Sequence, residues 1–349
     1  MLVKVLVMAP HLGTDLGWVR AVDPSVEVLD GNPAYRAELA QHGLGRGASP
    51  SDSPSSAERA RLLGEAEVLL VAYPVPPAIV DRAPRLRWVH HTQAGVSNLL
   101  GTDLWGATDV LLTSSRGAVA ALAIAEYAIA GILAFHRGLV TAARRPPGTF
   151  DVRDDYQASA SLAGATLGVI GLGGIGAEVA RLGRALGMRV VATRRSATVP
   201  RADAEGVDLV LPAAQLDQLA ARSDAVVVCS QLTDETTHLL DKAFFDALKP
   251  GAVLVNVARG EEIDEDALLG AVAAGKLHGA LLDVYDGEMA GRPPRPELLS
   301  EPAVVLTPHV SGSGDTSGGE PVRALFADNL RRYLAGEPLR NLVDRARGY

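Results

Sequence analysis

The chain has 349 residues, of which 48% are hydrophobic and 21% charged, proportions that are ordinary for a globular protein with room for two domains. Its formal net charge of −8 argues against a general nucleic-acid binder, because phosphate backbones attract basic surfaces. The single cysteine, Cys229, excludes a disulfide framework, and no stretch approaches the roughly 18 apolar residues of a membrane span, so we expect a cytoplasmic protein.

Short apolar runs alternate with polar or helical segments over the first third of the chain. The opening run, residues 3–9, is too short for a signal peptide and predicts a strand. A glycine- and serine-rich stretch, residues 43–56, has the composition of a surface loop. The predicted strands of this part are residues 3–9, 26–30, 67–73, 86–91 and 110–113.

An alanine-rich helical pattern follows from residue 118 to about residue 143, with no breaker expected before Pro146. The pattern is apolar on too many faces for a free surface helix. It therefore predicts packing against a second domain or a second subunit, and we expect a homodimer. A polar segment rich in Arg, Asp and Pro comes next, residues 144–161.

Near-continuous apolar strands then alternate with helices, which predicts a parallel sheet covered on both faces. A final helix, residues 321–335, follows the glycine- and serine-rich run 311–319, which has the composition of a hinge. The strands predicted in this part are residues 166–170, 189–193, 207–211, 225–229, 252–257, 280–285 and 304–306, and the helices are 177–186, 213–221, 242–248 and 265–274.

These elements predict an α/β fold with two doubly wound parallel sheets. Residues 1–117 and 316–349 would form one domain, and residues 118–315 would form a second domain inserted in it. Ligands commonly bind between domains, so we expect the active site in the cleft between the two.

A glycine-rich turn, GLGGIG, follows a predicted strand and opens a helix. Gly171 permits the tight turn, Gly173 lets the backbone approach a pyrophosphate, and Gly176 lets helix and strand pack closely. The helix N-terminus, with Gly174 and Ile175, offers N–H groups and a positive dipole end to phosphates. In this context the turn predicts a dinucleotide-binding site.

The next strand of this domain ends in two arginines, Arg194 and Arg195, where a site for NAD normally has an acidic residue. An acid there would accept hydrogen bonds from the ribose hydroxyls and repel a 2′-phosphate, whereas a guanidinium pairs with phosphate oxygens. The pair therefore predicts a preference for NADP over NAD. The alternative is that both arginines are solvated beside a site that binds NAD through its backbone.

Three residues suited to acid–base or anion-binding chemistry follow the last predicted strands: Arg259, Glu288 and His309. Open α/β sheets bind ligands at the carboxyl ends of their strands. Each residue alone is a weak signal, because an arginine after a strand is often a surface ion pair and a lone histidine is usually structural. Together, behind a dinucleotide turn, they supply the parts for hydride transfer to a carbonyl.

Several motifs make the chain similar to the D-isomer-specific 2-hydroxyacid dehydrogenase family, in particular to its glyoxylate/hydroxypyruvate reductases. In the family's order and over most of the chain, they are AIAEYAIAGIL, GLGGIG, LTDETTHLL, LKPGAVLVNVARG, DVYDGE, TPHVSG and NLRRYLAGEPLRNLVD. The resemblance implies a Rossmann cofactor domain inserted in a flavodoxin-like substrate domain. It also implies hydride transfer between NAD(P)H and the carbonyl carbon of a small 2-keto acid, with glyoxylate or hydroxypyruvate as first candidates.

The family's catalytic arginine, glutamate and histidine fall on Arg259, Glu288 and His309. By this resemblance Arg259 binds the carboxylate and carbonyl oxygens of the substrate through charge-assisted hydrogen bonds. His309 donates the proton in reduction and accepts it in oxidation, and Glu288 favours the imidazolium.

The family's binding residues also fall on positions of this chain. The backbone amides of the family's substrate loop fall on Ala94, Gly95 and Val96, for which an ordinary strand-to-helix turn is the alternative. Asp283 falls on the aspartate beside the nicotinamide carboxamide. The remaining cofactor contacts are expected at Ser230, Thr236, Val257 and Ala258.

Departures from the family pattern leave the substrate open. Ser97 stands where the family often has Asp, Gln231 stands where it often has Pro, and the stretch after Glu288 lacks the usual proline-rich run. Two other functions therefore stay open: dehydrogenation of another small anion, such as formate or phosphite, and dinucleotide sensing by a corepressor-like binding protein. No group of histidines, cysteines or carboxylates has metal-ligand spacing, so we predict no metal.

Overall fold

The computed structural model describes residues 2–42, 54–73, 75, 78–119, 121–146, 148, 159–313 and 319–348. Most of the predicted loop 43–56, most of the polar segment 144–161 and residues 314–318 of the predicted hinge lie outside these residues. The chain divides into two compact units. Unit 1 comprises Met1–Val119, Met289–Gly291 and Asp315–Tyr349, and unit 2 comprises Ala120–Glu288 and Arg292–Gly314.

The strands and helices alternate along the chain as the apolar runs predict. The strands are β1 (Val3–Met8), β2 (Val26–Asp30), β3 (Val68–Val71), β4 (Trp88–His91), β5 (Leu111–Ser114), β6 (Thr166–Ile170), β7 (Arg189–Arg194), β8 (Arg201–Ala204), β9 (Val207–Pro212), β10 (Ala225–Val228), β11 (Ala252–Asn256), β12 (Leu277–Leu282) and β13 (Val304–Leu306). The α-helices are α1 (Gly17–Arg20), α2 (Asn32–His42), α3 (Pro54–Glu65), α4 (Ile79–Arg82), α5 (Asp103–Gly106), α6 (Ala121–His136), α7 (Leu139–Ala143), α8 (Gly174–Ala185), α9 (Leu216–Ala220), α10 (Lys242–Ala247), α11 (Glu265–Ala273), α12 (Pro296–Ser300) and α13 (Glu320–Ala335). Short 3₁₀ helices lie at Pro10–Leu12, Ser97–Leu99, Ala213–Gln215, Gly260–Glu262 and Glu288–Ala290.

Unit 1 contains a parallel sheet with strand order β2-β1-β3-β4-β5, the flavodoxin-like doubly wound order. The C-terminal helix α13 returns to this unit. Trp88 of β4 stacks on Phe326 and Tyr333 of α13, with ring centroids 5.2 and 5.6 Å apart. Trp88 and Phe326 are fully buried, and burying each such ring stabilises the fold by about 2 kcal/mol or more. This aromatic contact explains why the two ends of the sequence form one unit.

Unit 2 contains an eight-stranded sheet with order β13-β12-β11-β10-β6-β7-β9-β8, in which the described strands are parallel except for β8. Alternate residues of β10 face opposite sides, so that Val227 packs with α6 and α8 while Val226 and Val228 pack with α10 and α11. Both faces are therefore covered, and the predicted fold class is confirmed. The strand order reverses between β6 and β10, which is where sheets of this kind open a crevice for a ligand.

The structure corrects three details of the predicted elements. The helix predicted as unbroken over 118–143 ends at His136, and Gly138, with φ of +68°, separates it from α7. The strand predicted at 280–285 lies at Leu277–Leu282, which frees the residues after it to form a loop. The hairpin strand β8 was not predicted, because its sequence RADA has no β-branched or large apolar residue. No described helix is both long enough and apolar enough to cross a membrane.

Candidate active site

The glycine turn lies between the end of β6 and the start of α8. Gly171 has φ of +92°, and a Cβ there would lie 2.9 Å from the backbone of Ser230. A Cβ on Gly176 would lie 2.1 Å from the carbonyl oxygen of Gly171, so helix and turn approach as closely as only glycine permits. The first N–H groups of α8 are suited to bind phosphate. The turn thus has the geometry that a pyrophosphate-binding turn requires.

His309 and Glu288 are brought together as the sequence predicts. The Nδ1 atom of His309 lies 3.0 Å from Oε1 of Glu288. The side chain of His309 is 39% exposed and that of Glu288 is 5% exposed, so the imidazole reaches solvent while its partner is buried. This pairing occupies Nδ1 and leaves Nε2 as the nitrogen for proton exchange. His309 also has a left-handed backbone, with φ of +55°, which is uncommon for a residue other than glycine.

Asp283 holds the loop that carries His309. Its Oδ1 accepts hydrogen bonds from Thr307 Oγ1 and Val310 N at 2.7 and 2.8 Å, and its Oδ2 accepts one from Ser311 N at 2.8 Å. The carbonyl oxygen of Asp283 also accepts the His309 N–H at 2.9 Å. Asp283 is buried, so these bonds compensate the loss of water around its carboxylate. The predicted contact between Asp283 and the cofactor stays a prediction.

Arg259 lies in a turn fixed by Asn256, the last residue of β11. The Nδ2 group of Asn256 donates to the carbonyl of Arg259 at 2.8 Å, and its Oδ1 accepts from Ala258 N at 2.9 Å. The next residue, Gly260, has to be a glycine, because a Cβ there would lie 1.9 Å from the carbonyl carbon of Tyr285. Asn256 was not singled out from the sequence, although an amide at the end of a buried strand is a recognised turn former.

The three candidate catalytic residues follow adjacent strands of one sheet. Asn256 of β11 is in register with Leu282 of β12, and Leu282 is in register with Leu306 of β13. The segments that continue from these positions therefore leave the same edge of the sheet. They carry Arg259, Glu288 and His309.

A buried carboxyl that was not predicted lies beside the Arg259 turn. Glu262 is fully buried and its Oε2 accepts a hydrogen bond from the hydroxyl of Ser230. Burial raises the pKa of Glu262 to about 7, although the Ser230 hydrogen bond and the charge of Arg259 act in the opposite direction. Burial and the neighbouring Glu262 also raise the pKa of the Cys229 thiol, so this cysteine is suited to the core rather than to nucleophilic chemistry.

A surface recess of about 390 Å³ lies at the end of β7. The backbone N–H groups of Gly171 and Leu172 donate to the carbonyl of Thr193, so the recess begins at the strand that supports the glycine turn. Arg194 lines it, whereas Arg195 is not among the described lining residues, and the predicted binding of both arginines to the cofactor stays a prediction. The full lining is Arg194, Ser196, Ala197, Thr198, Val199, Arg201 and Glu205.

The other predicted binding residues have ordinary local structures. The Thr236 hydroxyl donates to the carbonyl of Gln231 and accepts from Thr233 N, both at 2.7 Å. Val257 and Ala258 are buried after β11. In unit 1, Ala94, Gly95 and Val96 lie between β4 and the 3₁₀ helix Ser97–Leu99, and only Val96 of the three is buried. Within the described residues no group of three or more His, Cys, Asp or Glu could hold a metal ion.

Comparison with known proteins agrees with this arrangement. Residues 129–311 match the family model described as D-isomer specific 2-hydroxyacid dehydrogenase, NAD binding domain. A D-3-phosphoglycerate dehydrogenase of Archaeoglobus fulgidus is 35% identical over 284 residues, which are 80% of this chain and 51% of that protein. A glyoxylate reductase of Thermococcus onnurineus is 32% identical over 296 residues, which are 80% of this chain and 83% of that protein.

A solved structure has the same fold. It is the NADPH-dependent glyoxylate/hydroxypyruvate reductase from Sinorhizobium meliloti in complex with NADP and sulfate, 26% identical with a TM-score of 0.74, and the match covers 99% of this chain and 100% of that chain. The chain spans about half the length of the D-3-phosphoglycerate dehydrogenases that it matches. Because the family model covers more than half of the chain and the glyoxylate reductase matches over most of both sequences, the protein belongs to the D-isomer-specific 2-hydroxyacid dehydrogenase family.

Proposed function

We propose that the chain is an oxidoreductase that transfers a hydride between NAD(P)H and the carbonyl carbon of a small 2-keto acid. The observation that carries this proposal is the His309–Glu288 pair, which shares a sheet edge with the Arg259 turn. Membership of the family supports the reaction class. The names of two relatives, a glyoxylate reductase and a glyoxylate/hydroxypyruvate reductase, support glyoxylate and hydroxypyruvate as the first substrates to test.

Each of the three side chains has a role in this reaction. Arg259 binds the carboxylate and carbonyl oxygens of the keto acid through charge-assisted hydrogen bonds. His309 delivers a proton from Nε2 to the carbonyl oxygen in reduction and removes it in oxidation, since Nδ1 faces Glu288. Glu288 orients the ring and stabilises the imidazolium. When bound, the reduced dinucleotide supplies the hydride.

The two domains predicted from the sequence divide the binding roles in this proposal. Residues 118–315 bind the cofactor, and residues 1–117 with 316–349 bind the substrate. The backbone amides of Ala94, Gly95 and Val96 receive the carboxylate of the substrate. Cofactor contacts come from Gly171, Gly173, Gly174, Ile175, Gly176, Arg194, Arg195, Ser230, Thr236, Val257, Ala258 and Asp283.

We also propose that NADP is preferred over NAD. Arg194 lines the recess beside the glycine turn, where a guanidinium can pair with the 2′-phosphate of NADP. A relative of the same fold is NADPH-dependent and was solved with NADP.

The test of both proposals is the initial rate of glyoxylate and hydroxypyruvate reduction with NADPH and with NADH. We expect kcat/KM to be at least about tenfold higher with NADPH, because a charge-assisted phosphate contact contributes about 1.5–3 kcal/mol. Arg194→Asp should reverse this preference by repelling the phosphate. Arg189→Asp, at the opposite end of the same strand, is the matched control and should leave the preference unchanged.

Two outcomes would contradict these proposals separately. A wild-type protein that prefers NADH would show that the arginines do not select the cofactor, while the reductase function would stand. A protein that oxidises neither cofactor with any keto acid would remove the reductase function. The remaining hypotheses would then be dehydrogenation of another small anion and dinucleotide sensing.

We propose further that the chain acts in the cytoplasm as a homodimer. Leu122 of α6 and Leu139 of α7 are 47% and 59% exposed, and such side chains on an apolar helical segment favour a partner surface. Sedimentation of the purified protein should give twice the mass of one chain. A single-chain mass at micromolar concentration would contradict the dimer, and secretion of the intact chain would contradict the compartment.

A further inference from the structure

The recess at the end of β7 contains two arginines that share one carboxylate. Arg194 comes from β7, Arg201 from β8, and Glu205 from the turn between β8 and β9. Arg194 donates from Nη1 to Oε2 of Glu205, and Arg201 donates from Nη2 to Oε1. Each carboxylate oxygen thus binds a different guanidinium. The recess therefore combines two positive charges with one internal negative charge.

The carboxylate of Glu205 is positioned by a turn whose backbone is largely left-handed. Asp203, Glu205 and Gly206 all have positive φ, of +47°, +55° and +79°. A left-handed backbone costs about 1 kcal/mol or more for a residue other than glycine, so the turn is held by the interactions of its side chains and of the hairpin. Burial acts to raise the pKa of Glu205, but the two arginines outweigh it and lower the pKa, which keeps the carboxylate ionised.

A phosphate monoester that enters the recess meets the two guanidinium groups with which Glu205 already pairs. Each guanidinium has five N–H donors in a planar fork, and phosphate binds this fork in the same bidentate manner as a carboxylate. The phosphate carries close to two negative charges at neutral pH, so Glu205 both competes with it for donors and repels it. Glu205 therefore lowers the affinity of the recess for phosphate.

We propose that Glu205 is an internal competitor that sets how strongly Arg194 and Arg201 bind the 2′-phosphate of NADP. This inference rests on the proposed cofactor preference and adds two residues to it, Arg201 as a second phosphate ligand and Glu205 as its counter-ion. The competition narrows the difference in affinity between NADPH and NADH.

The test is calorimetric titration of the full chain with adenosine 2′,5′-bisphosphate and with adenosine 5′-monophosphate, which differ only in the 2′-phosphate. Glu205→Gln keeps the size of the side chain and removes its charge. We expect this variant to bind the bisphosphate at least about fivefold more tightly and to bind the monophosphate within about twofold of the wild type. Arg201→Met should weaken binding of the bisphosphate alone.

Two further variants serve as controls. Glu297→Gln removes an exposed glutamate that pairs with Arg295 in the same unit, and it should change neither affinity. Glu205→Asn tolerates the left-handed backbone and gives a second neutral residue if Glu205→Gln disturbs the turn. Thermal unfolding of each variant shows whether the hairpin is intact.

The results separate this inference from the proposed function. Unchanged or weaker bisphosphate binding in both neutral variants would overturn it, because Glu205 would then only orient the arginines. A wild-type protein that binds both nucleotides equally would overturn it together with the NADP preference. Keto-acid reduction with NADH, measured on the same samples, would still support the reductase function in that case.

Discussion

Replacing His309 by asparagine is expected to lower kcat for keto-acid reduction by about a hundredfold to ten-thousandfold. This range is the usual contribution of a positioned general acid. Asparagine accepts the left-handed backbone of this position but cannot deliver a proton, so the loss reports the chemistry rather than a misfolded loop. The measurement is the steady-state rate with saturating cofactor and keto acid, together with cofactor affinity.

The matched control is His238→Asn. His238 is an exposed histidine of the same unit and also has a left-handed backbone, with φ of +50°. Its replacement should leave kcat unchanged. Glu288→Gln should give a smaller loss than His309→Asn, because the imidazole remains but its ionic partner is gone. If the His309 variant keeps kcat within about tenfold of the wild type, His309 is not the proton donor.

Replacing Glu262 by glutamine should remove a pH dependence of stability. The pKa of Glu262 is raised to about 7 from its ordinary 4.5 because the group is buried. Between these two values the folded protein holds a proton that the unfolded chain has lost. The protonated carboxyl of Glu262 thus stabilises the fold fully below pH 4.5, and this stabilisation is lost as the pH rises through 7. The free energy of unfolding falls by up to about 3 kcal/mol over this range.

Urea unfolding of both proteins at pH 5 and pH 8 measures this effect. Glutamine is neutral throughout, so the variant should gain stability relative to the wild type as the pH rises. The control is Glu235→Gln, an exposed residue whose replacement should give the same small difference at both pH values. A constant difference between wild type and Glu262→Gln would show that Glu262 is ionised in the folded protein at both pH values.

The positions of the main elements follow from the sequence because their signals are local. An apolar run such as 225–228, which is short and rich in valine, is typical of a buried strand, and Gly176 of GLGGIG is required by its close contact with Gly171 in the same turn. The pair of His309 and Glu288 was predictable through resemblance, since their separation along the chain of 21 residues gives no indication of contact.

The elements that were missed depend on contacts between distant residues. The strand β8 is short and mostly exposed, has no β-branched or large apolar residue, and exists because it pairs with β9. Glu262 follows another glutamate in a turn, which is typical of a solvated segment. Only the fold brings its carboxyl within hydrogen-bond distance of the Ser230 hydroxyl. Arg201 has no local signal in the sequence, and only the hairpin brings it to the end of β7.

The way Asp283 holds the His309 loop has a consequence for protein engineering. Two of its three carboxylate bonds come from the main-chain N–H groups of Val310 and Ser311, and such donors are present in every residue except proline. The side chain of Val310, which is 38% exposed, can therefore be randomised without releasing the histidine, whereas position 311, where Ser311 is buried, should keep a small residue. A library that varies residue 310 fully and residue 311 among small residues, and omits proline, would change the surroundings of His309 while its loop stays in place.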